Sequence, residues 1–255
     1  MRVGIIQSNY IPWRGYFDFI NSVDVFVLYD SVQYTKNDWR NRNKIKTSNG
    51  VHWLTIPVQQ KSLAQHIENT FIDYRHKWEV KHLRAMEQAY GKLPHFMKYF
   101  PRYMEILEEG HLTISTLNQA LIRWLMSCLD INTPLRSASE FNLTGQRTER
   151  LIELLTQLGA TTYLSGPSAA SYLEYGLFRE AGIALEFKSY DYPPYPQPHG
   201  PFASDVTVLD LLFSMGDRAK EYLKSETPNK TVVVEQKPGD PPLSAGQQQY
   251  SRGLL

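Results

Sequence analysis

The side chains best suited to chemistry are concentrated between residues 3 and 58 of this sequence. An apolar run there ends in Gln7, Ser8 and Asn9, and a second apolar run ends at Asp30. Asp30 is therefore predicted at the carboxyl end of a buried strand, where a carboxylate can act as a general base or hold an amine or a sugar hydroxyl. Polar groups at such strand ends converge on ligands in α/β proteins, which makes this region the candidate site.

The loop that follows combines cations with amides and aromatic rings. Arg40, Arg42 and Lys44 alternate, so on an extended segment they share one face and could clamp a diphosphate. Asn41 and Asn43 alternate in the opposite phase and could bind sugar hydroxyls. A solvated basic loop is the alternative interpretation. Further candidate binding residues in this stretch are Gln33, Tyr34, Lys36 and Trp39.

Aromatic residues also surround the first predicted strand-to-helix junction. Gln7 is a candidate catalytic residue there, as a donor to a hydroxyl or an oxyanion, and a helix N-terminus offers N–H groups to a phosphate or carboxylate. Tyr10, Trp13 and Tyr16 are candidate binding residues, the first two as walls of the site. A turn whose rings only pack is the alternative. Because no glycine-rich fingerprint is present, the sequence does not predict a P-loop or dinucleotide site.

Two later segments carry further candidates. Ser165 and Gly166 lie at a second strand-to-helix turn, where a capping role for Ser165 is favoured over anion binding by the backbone amides after Gly166. The segment DYPPYPQPHGPF follows an extended path because of its prolines, and its Tyr195 and Gln197 suit a lid or a sugar platform. His199 is a candidate catalytic base, and a loop histidine without a catalytic role is the alternative.

The elements that must position these residues alternate between strands and helices. Residues 2–7 and 24–29 are predicted strands, and the second is apolar on both faces, which indicates a central parallel strand. Asn49-Gly50 predicts a turn, so the strand at 51–58 could pair with residues 42–46. The remaining predictions are helices at 76–107 (broken at 91–94, with a restart near Pro101), 111–130, 147–158, 168–179 and 205–215, and strands at 162–164 and 183–189.

This alternation predicts an α/β fold with a mostly parallel sheet, flanking helices and a helical insertion or cap at about 76–135. Residues 1–225 are predicted to form one domain, and residues 226–255 a loosely ordered C-terminal tail. The tetrad at 13–16, WRGY, lies where nucleotidylyltransferases carry two histidines around a glycine. Because only the glycine matches, the comparison allows a shared topology without adenylyl transfer.

Composition excludes several classes of function. With 27 basic and 26 acidic residues the chain has a net charge of +1, which argues against general affinity for nucleic acid or anionic lipid. The single cysteine, Cys128, lies in an apolar helical pattern that favours a packed thiol over a nucleophile. No metal-ligand spacing is present and no cofactor is required. No signal peptide and no apolar run of roughly 18 residues is found, which predicts a cytoplasmic protein without membrane insertion.

One set of motifs extends from residue 2 to about residue 225. It comprises residues 7–10, 12–13, 15–17, 23–30, 32–34, 39–43, 53–58, 163–166, 172–173, 195, 197, 202, 209–213 and 216. In these motifs the chain resembles the WbqC-like protein family. The resemblance implies relatives in bacterial gene clusters for O-antigen and other surface polysaccharides. A role in modifying a sugar, including transfer of glycine to an amino sugar, has been proposed there.

The resemblance and the residue clusters favour a transferase acting on a nucleotide-linked or lipid-linked sugar. The reaction would form an amide on a sugar amine from an activated acyl or aminoacyl donor. Asp30 would be the base or hold the amine, and Gln7, Asn41 and Gln197 would donate to hydroxyls or an oxyanion. The alternatives are an ATP-dependent ligase on a nucleotide-binding scaffold and a non-catalytic module that binds glycan precursors.

Overall fold

The computed structural model describes residues 1–59, 62 and 64–233, and its centre is a six-stranded sheet. From one edge to the other, the strands are β7 (Leu135–Ser137), β2 (Val25–Leu28), β1 (Arg2–Ile6), β8 (Thr162–Ser165), β9 (Ala184–Phe187) and β10 (Lys230–Val233). The first five are parallel, and β10 is antiparallel to β9. The sheet is therefore mostly parallel, as predicted.

The two strands at the start of the chain lie inside the sheet because their side chains are apolar on both faces. β2 is parallel to both of its neighbours, which confirms its predicted central position, and Asp30 follows two residues after its end. The chain extends in one direction from β1 through β2 to β7 and in the other from β8 to β10. The boundary between β1 and β8 is thus a topological switch point, where α/β proteins bind ligands beyond the carboxyl ends of the strands.

Seven α-helices occur in the described part of the chain. They are α1 (Arg14–Asn21), α2 (Trp78–Tyr90), α3 (Phe96–Glu108), α4 (Ile114–Cys128), α5 (Arg147–Leu158), α6 (Tyr175–Glu180) and α7 (Val208–Met215). One sheet face shares a hydrophobic core with α1 to α4 and α7, and the other face packs on α5 and α6. The predicted helical insertion therefore shares its core with the sheet.

Two short antiparallel pairs lie outside the main sheet. β3 (Arg42–Thr47) and β4 (Gly50–Thr55) form the predicted hairpin, with Arg42 opposite Thr55 and Thr47 opposite Gly50. β5 (Val58–Gln59) pairs with β6 (Phe71–Ile72). Backbone bonds join the hairpin to the rest of the molecule, since Thr207 N–H donates to the Lys44 carbonyl at 2.9 Å.

Several element boundaries differ from the prediction. The expected helix at 168–179 is divided into a 3₁₀ turn, Pro167–Ser171, and α6, because Glu174 N–H donates to the Thr148 hydroxyl between them. α7 begins at Val208, three residues later than predicted, because Thr207 is its N-cap and the Thr207 hydroxyl accepts from Leu209 N–H.

The helical middle also restarts earlier than predicted, and two edge strands were not foreseen. α3 begins at Phe96, with Pro101 inside it; the unpaired Met97 carbonyl can bind water because Met97 is exposed. β7 is a three-residue edge strand, too short to give a pattern. β10 lies within the predicted C-terminal tail, so residues 230–233 are ordered against β9, while residues 234–255 lie outside the described residues.

Candidate functional site

The carboxylate of Asp30 is a buried structural junction. Its Oδ1 accepts a 2.8 Å bond from Ser8 N–H, and its Oδ2 accepts a 2.5 Å bond from the Ser115 hydroxyl. Asn118 extends the network by donating to Ser8 Oγ at 3.2 Å and to the Arg40 carbonyl at 2.8 Å. We call Ser8, Asp30, Ser115 and Asn118 the Asp30 cluster. It joins the ends of β1 and β2 to α4, and the role of Asp30 as a base stays a prediction.

Tyr10 lies in the hydrophobic core and does not line a surface. Its hydroxyl is hydrogen-bonded to Tyr103 Oη at 2.7 Å and to His82 Nδ1 at 2.9 Å. Burial lowers the pKa of His82 to about 3, so this imidazole is neutral near pH 7. Tyr16 is also buried, and its hydroxyl donates to the Gln7 carbonyl at 3.1 Å. Tyr10 could form a wall of the binding site, as predicted, only if the hydrophobic core opened.

The side-chain amides of Asn41 and Asn43 hold backbone carbonyl groups. Asn41 Nδ2 donates to Ile56 O at 2.9 Å, and Asn43 Nδ2 donates to Tyr10 O at 3.0 Å and to Ile11 O at 2.9 Å. Ile11 has a φ of 35°, a left-handed conformation that is strained for a β-branched residue. Asn43 therefore fixes the turn between β1 and α1, and sugar binding by either amide stays a prediction.

Two tryptophans on the hairpin side form an aromatic surface with two cations. The ring centroids of Trp39 and Trp53 are 5.2 Å apart, and Trp39 is exposed. The Arg42 guanidinium lies 4.1 Å from the Trp53 ring centroid, and Lys44 Nζ lies 5.0 Å from the same ring. We call these four residues the indole platform. Such a surface combines a flat ring face with positive charge, which suits a sugar or base that carries an anionic group.

The three cations of the predicted clamp have different partners. The Arg40 guanidinium bonds Asn9 Oδ1 and lies 3.5 Å from Asp38, and the Lys44 ammonium pairs with Asp205. Arg42 forms no ion pair or hydrogen bond through its side chain within the described residues. Its charge is therefore available to a ligand, whereas a three-cation diphosphate clamp is not preformed.

Tyr34 and Gln33 lie beside the platform on the preceding loop. The Tyr34 hydroxyl is buried and has no hydrogen-bond partner in the described part of the chain. Burial and, to a smaller extent, the charge of Asp38 raise the pKa of Tyr34 to about 12, although Arg42 opposes the rise. Gln33 is exposed and its backbone bridges to His66. Both therefore stay candidate binding residues.

The switch point carries a second set of accessible groups. Gln7 is half-buried, and its side-chain amide makes no hydrogen bond to any described residue. On the adjoining strand, a Cβ added to Gly166 would meet no atom within 4 Å, so space is open there. Trp13, which precedes α1, packs against Tyr190, with ring centroids 5.2 Å apart. We call Gln7, Trp13, Gly166 and Tyr190 the switch-point edge.

The capping role predicted for Ser165 is wrong. Its hydroxyl points into the sheet and donates to Tyr163 Oη at 3.4 Å, while Gly166 is the N-cap and supplies no side-chain bond. The next residue, Pro167, starts the 3₁₀ turn and has no N–H that needs a cap.

The proline-rich segment contributes to a buried network around Asp210. Asp210 is 0% exposed, and its Oδ1 accepts from Tyr195 Oη at 2.7 Å and from Gln197 Nε2 at 2.9 Å. Burial raises the pKa of Asp210 above its ordinary value. The ammonium of Lys46, 3% exposed, donates to Gln197 Oε1 at 3.1 Å and to Gly200 O at 3.2 Å. We call Lys46, Tyr195, Gln197 and Asp210 the Asp210 cluster.

Gln197 is saturated by this network. One N–H of its Nε2 is shared between Asp210 Oδ1 and Tyr195 Oη, the other donates to Ala203 O, and its Oε1 accepts from Lys46 and from Ala203 N–H. A role as an oxyanion donor stays a prediction, but it would require these bonds to break. Sequence reasoning missed Lys46, although it continues the alternation of Arg42 and Lys44 along β3.

His199 and Cys128 show no sign of activation. His199 is exposed, and its Nε2 is hydrogen-bonded to the Ala89 carbonyl at 2.8 Å. Its role as a base stays a prediction. Burial raises the pKa of the Cys128 thiol to about 11, which keeps it protonated near neutral pH, as expected of a packed cysteine.

A buried ion pair was also missed by sequence reasoning. Lys188 Nζ lies 2.6 Å from Asp18 Oδ2, and both side chains are almost fully buried. Tyr192 Oη donates to the same oxygen at 2.8 Å, while Arg14 donates to Pro193 O and lies 4.8 Å from the Tyr192 ring centroid. The one available signal was Asp18, a charged residue inside the otherwise apolar pattern of α1. These contacts fix the proline-rich segment on α1.

The described residues bear on two further questions, metal binding and membrane crossing. No group of three or more His, Cys, Asp and Glu side chains there could hold a metal ion. Among the helices of the same residues, none has the length and apolar character needed to cross a bilayer.

Fold and site together define an α/β protein with its candidate binding groups at the carboxyl ends of a mostly parallel sheet. Residues 7–222 match the WbqC-like protein family, and the chain belongs to that family, as its motifs predicted. It is 46% identical over 226 residues to the uncharacterized protein Rv1507c of Mycobacterium tuberculosis, a match that covers 88% of this chain and 97% of that protein. No solved structure is significantly similar to the chain.

Proposed function

We propose that this protein is a cytoplasmic transferase that modifies a nucleotide-linked or lipid-linked sugar in the biosynthesis of a bacterial surface polysaccharide such as O-antigen. The reaction transfers an acyl or aminoacyl group, with glycine as one example, from an activated donor to the amine of an amino sugar, so that an amide bond forms and the bond to the donor's leaving group breaks. Family membership supports the general assignment. The indole platform is the observation that carries the choice of a sugar ligand.

The platform matches the two chemical parts of such a ligand. A pyranose ring presents C–H groups that pack on an indole face, and Trp39 is exposed with Trp53 beside it. A sugar nucleotide also carries phosphate oxygens, and the unpaired Arg42 guanidinium can bind them through two parallel hydrogen bonds. The stacked position of Arg42 on Trp53 orients this charge before a ligand arrives.

Amide formation also needs a base for the ammonium proton and donors for the tetrahedral oxyanion. Asp30 and Gln7 are the proposed base and donor, since both follow the ends of central strands. The free amide of Gln7 fits a donor role directly. Asp30 would have to exchange its bond to the Ser115 hydroxyl for one to the substrate amine.

The test is a calorimetric titration with a nucleoside-diphosphate amino sugar, combined with mass spectrometry after an acyl or aminoacyl donor is added. We expect Trp53→Ala to weaken sugar-nucleotide binding about tenfold or more, because stacking of a base on an aromatic side chain contributes roughly 1–3 kcal/mol and the loss of the indole also removes the face on which Arg42 lies. Arg42→Gln should weaken it by a similar factor. Arg123→Gln, which removes an exposed cation from α4, is the matched control. Unchanged binding in both platform variants would contradict the proposal.

The strand order favours a second candidate function, an ATP-dependent ligase. A switch point between β1 and β8 is where doubly wound sheets bind nucleotides, and the switch-point edge offers a free amide and open space. Calorimetry with ATP and magnesium separates the two functions. Binding that is lost in Gly166→Val, which fills the open space, supports the ligase, and no binding supports transfer from a preactivated donor. Saturable sugar-nucleotide binding without product would indicate a non-catalytic module.

A further inference from the structure

A shallow basic depression lies at the start of α2, and none of its lining residues belongs to the groups assigned to sugar binding. It is formed by the first two turns of that helix and by the 3₁₀ turn Tyr74–His76 before it. The cavity has a volume of about 480 Å³, and its lining residues are Arg75, His76, Lys77, Val80, Lys81 and Arg84. We call this surface the basic groove.

Most of the positive charge in the groove is not neutralised by the protein. Arg75 is paired with Asp73, with Nη2 and Oδ2 2.6 Å apart. Lys77, Lys81 and Arg84 are exposed, and their side chains form no ion pair within the described residues. The groove thus carries three unpaired positive charges, whereas the whole chain has a net charge of +1. The positive charge is therefore a local property of this surface.

The spacing of these cations suits more than one anionic group. Lys77, Lys81 and Arg84 follow one another at intervals of four and three residues, so they lie on one side of the helix. At a rise of 1.5 Å per residue they extend over about 10 Å, which is longer than a single phosphate group.

The backbone adds to the positive potential. Lys77 is the N-cap of α2 with a left-handed φ of 45°, and its side chain accepts no hydrogen bond from the helix. The first N–H groups of α2 therefore have no side-chain cap, and they carry the positive end of the helix dipole. Glu79, the acidic residue of this turn, does not line the groove.

We propose that the basic groove binds a soluble ligand with two or more phosphate groups, such as inorganic pyrophosphate or the phosphate chain of a nucleotide. A soluble ligand fits better than a membrane surface because Val80 is the one apolar residue of the lining, whereas a helix that binds a membrane surface buries a broad apolar face. The proposal is independent of sugar binding at the indole platform, which contains none of these residues.

The experiment is calorimetry of the full chain with inorganic pyrophosphate at about 50 mM and about 300 mM NaCl, because salt screens exposed charges. The variant Lys77→Gln/Lys81→Gln/Arg84→Gln removes the unpaired cations, all of them exposed, so the fold should be retained. The matched control Lys92→Gln/Arg123→Gln/Lys224→Gln removes the same types of charge from exposed positions elsewhere. Circular dichroism establishes that both variants are folded.

We expect saturable binding at the lower salt concentration, a loss of about tenfold or more in the groove variant and less than about twofold in the control. Equal weakening in both variants would overturn the proposal, since it would reflect net charge alone. Absence of pyrophosphate binding would also overturn it. So would binding to vesicles with anionic phospholipid when pyrophosphate does not bind, because that result would assign the groove to a membrane. Sugar-nucleotide binding through Trp53 tests the proposed function separately.

Discussion

Asp30 and Asp210 are carboxylates with almost no solvent exposure, yet their surroundings differ in kind. Each oxygen of Asp30 has its own donor, one a backbone N–H and one a hydroxyl, and the donors come from different elements. Asp210 concentrates a phenol and an amide on one oxygen, with a lysine on the far side of Gln197. Burial raises the pKa of Asp210, and the bonds from Tyr195 and Gln197 and the charge of Lys46 oppose this rise.

The difference separates two uses of a buried carboxylate. Asp30 holds together elements that are distant in the chain, so its removal should affect stability first. Burial favours the protonated acid of Asp210 relative to an ordinary aspartate, so its ionised form contributes less to folding. Three substitutions test this contrast, ordered by the size of the expected effect.

The largest effect is expected for Asp30→Ala, which should reduce the free energy of unfolding by about 3 kcal/mol because two buried donors lose their acceptor. The measurement is urea denaturation followed by circular dichroism at pH 7. The control is Asp30→Asn, whose carbonyl can still accept from Ser8 N–H and whose amide can donate to the Ser115 oxygen, at a cost of about 1 kcal/mol. A loss below that value for Asp30→Ala would show that the junction is not structural.

A smaller loss, about 2 kcal/mol, is expected for Gln197→Ala, because Lys46 and Asp210 both lose a neutral partner in the interior. Urea denaturation at pH 7 again gives the value. Gln197→Glu is a useful comparison with Gln197→Ala, because the new carboxylate would bind Lys46 and would repel the carboxylate of Asp210. If Gln197→Ala retained full stability and lost activity, the side chain would have the catalytic role predicted from the sequence.

The smallest effect is expected for Asp210→Asn, below about 1 kcal/mol at pH 7, with a defined pH dependence. Because the folded-state pKa is raised, the folded protein binds more protons than the unfolded chain between the two pKa values. The stability contributed by wild-type Asp210 is therefore greatest at low pH and falls as pH rises from about 3.9 through the raised pKa. Midpoints of urea unfolding for both proteins from pH 4 to pH 7 measure this trend, and the opposite slope would contradict it.

The sequence predicted the features that depend on neighbouring residues. The central strands, the α5 helix ending at Gly159 and the hairpin around Asn49-Gly50 follow from local patterns, and all are present. The position of Asp30 just beyond β2 follows from the same reasoning. The family was also predicted from the sequence, because its motifs are present in the chain.

The features that depend on distant residues could not be predicted in this way. The pairing of Lys44 with Asp205, and of Asp18 with Lys188, joins residues more than 150 positions apart. In the sequence, the three alternating cations of the loop appear equivalent. The tertiary structure shows that Arg40 and Lys44 have acidic partners and that Arg42 has none within the described residues. The orientation of Tyr10 and Gln197 into the interior has the same cause.

The strained backbone at Ile11 has a mechanical consequence for this end of the sheet. The isoleucine side chain is completely enclosed by the core, and Asn43, on β3, donates hydrogen bonds to the carbonyl groups of Tyr10 and of Ile11 itself. A turn held from both sides in an unfavourable conformation cannot swing as a hinge without releasing the hairpin as well. Any segment that moves to admit a substrate must therefore lie elsewhere. The β1–α1 turn would be the stationary side of such a movement.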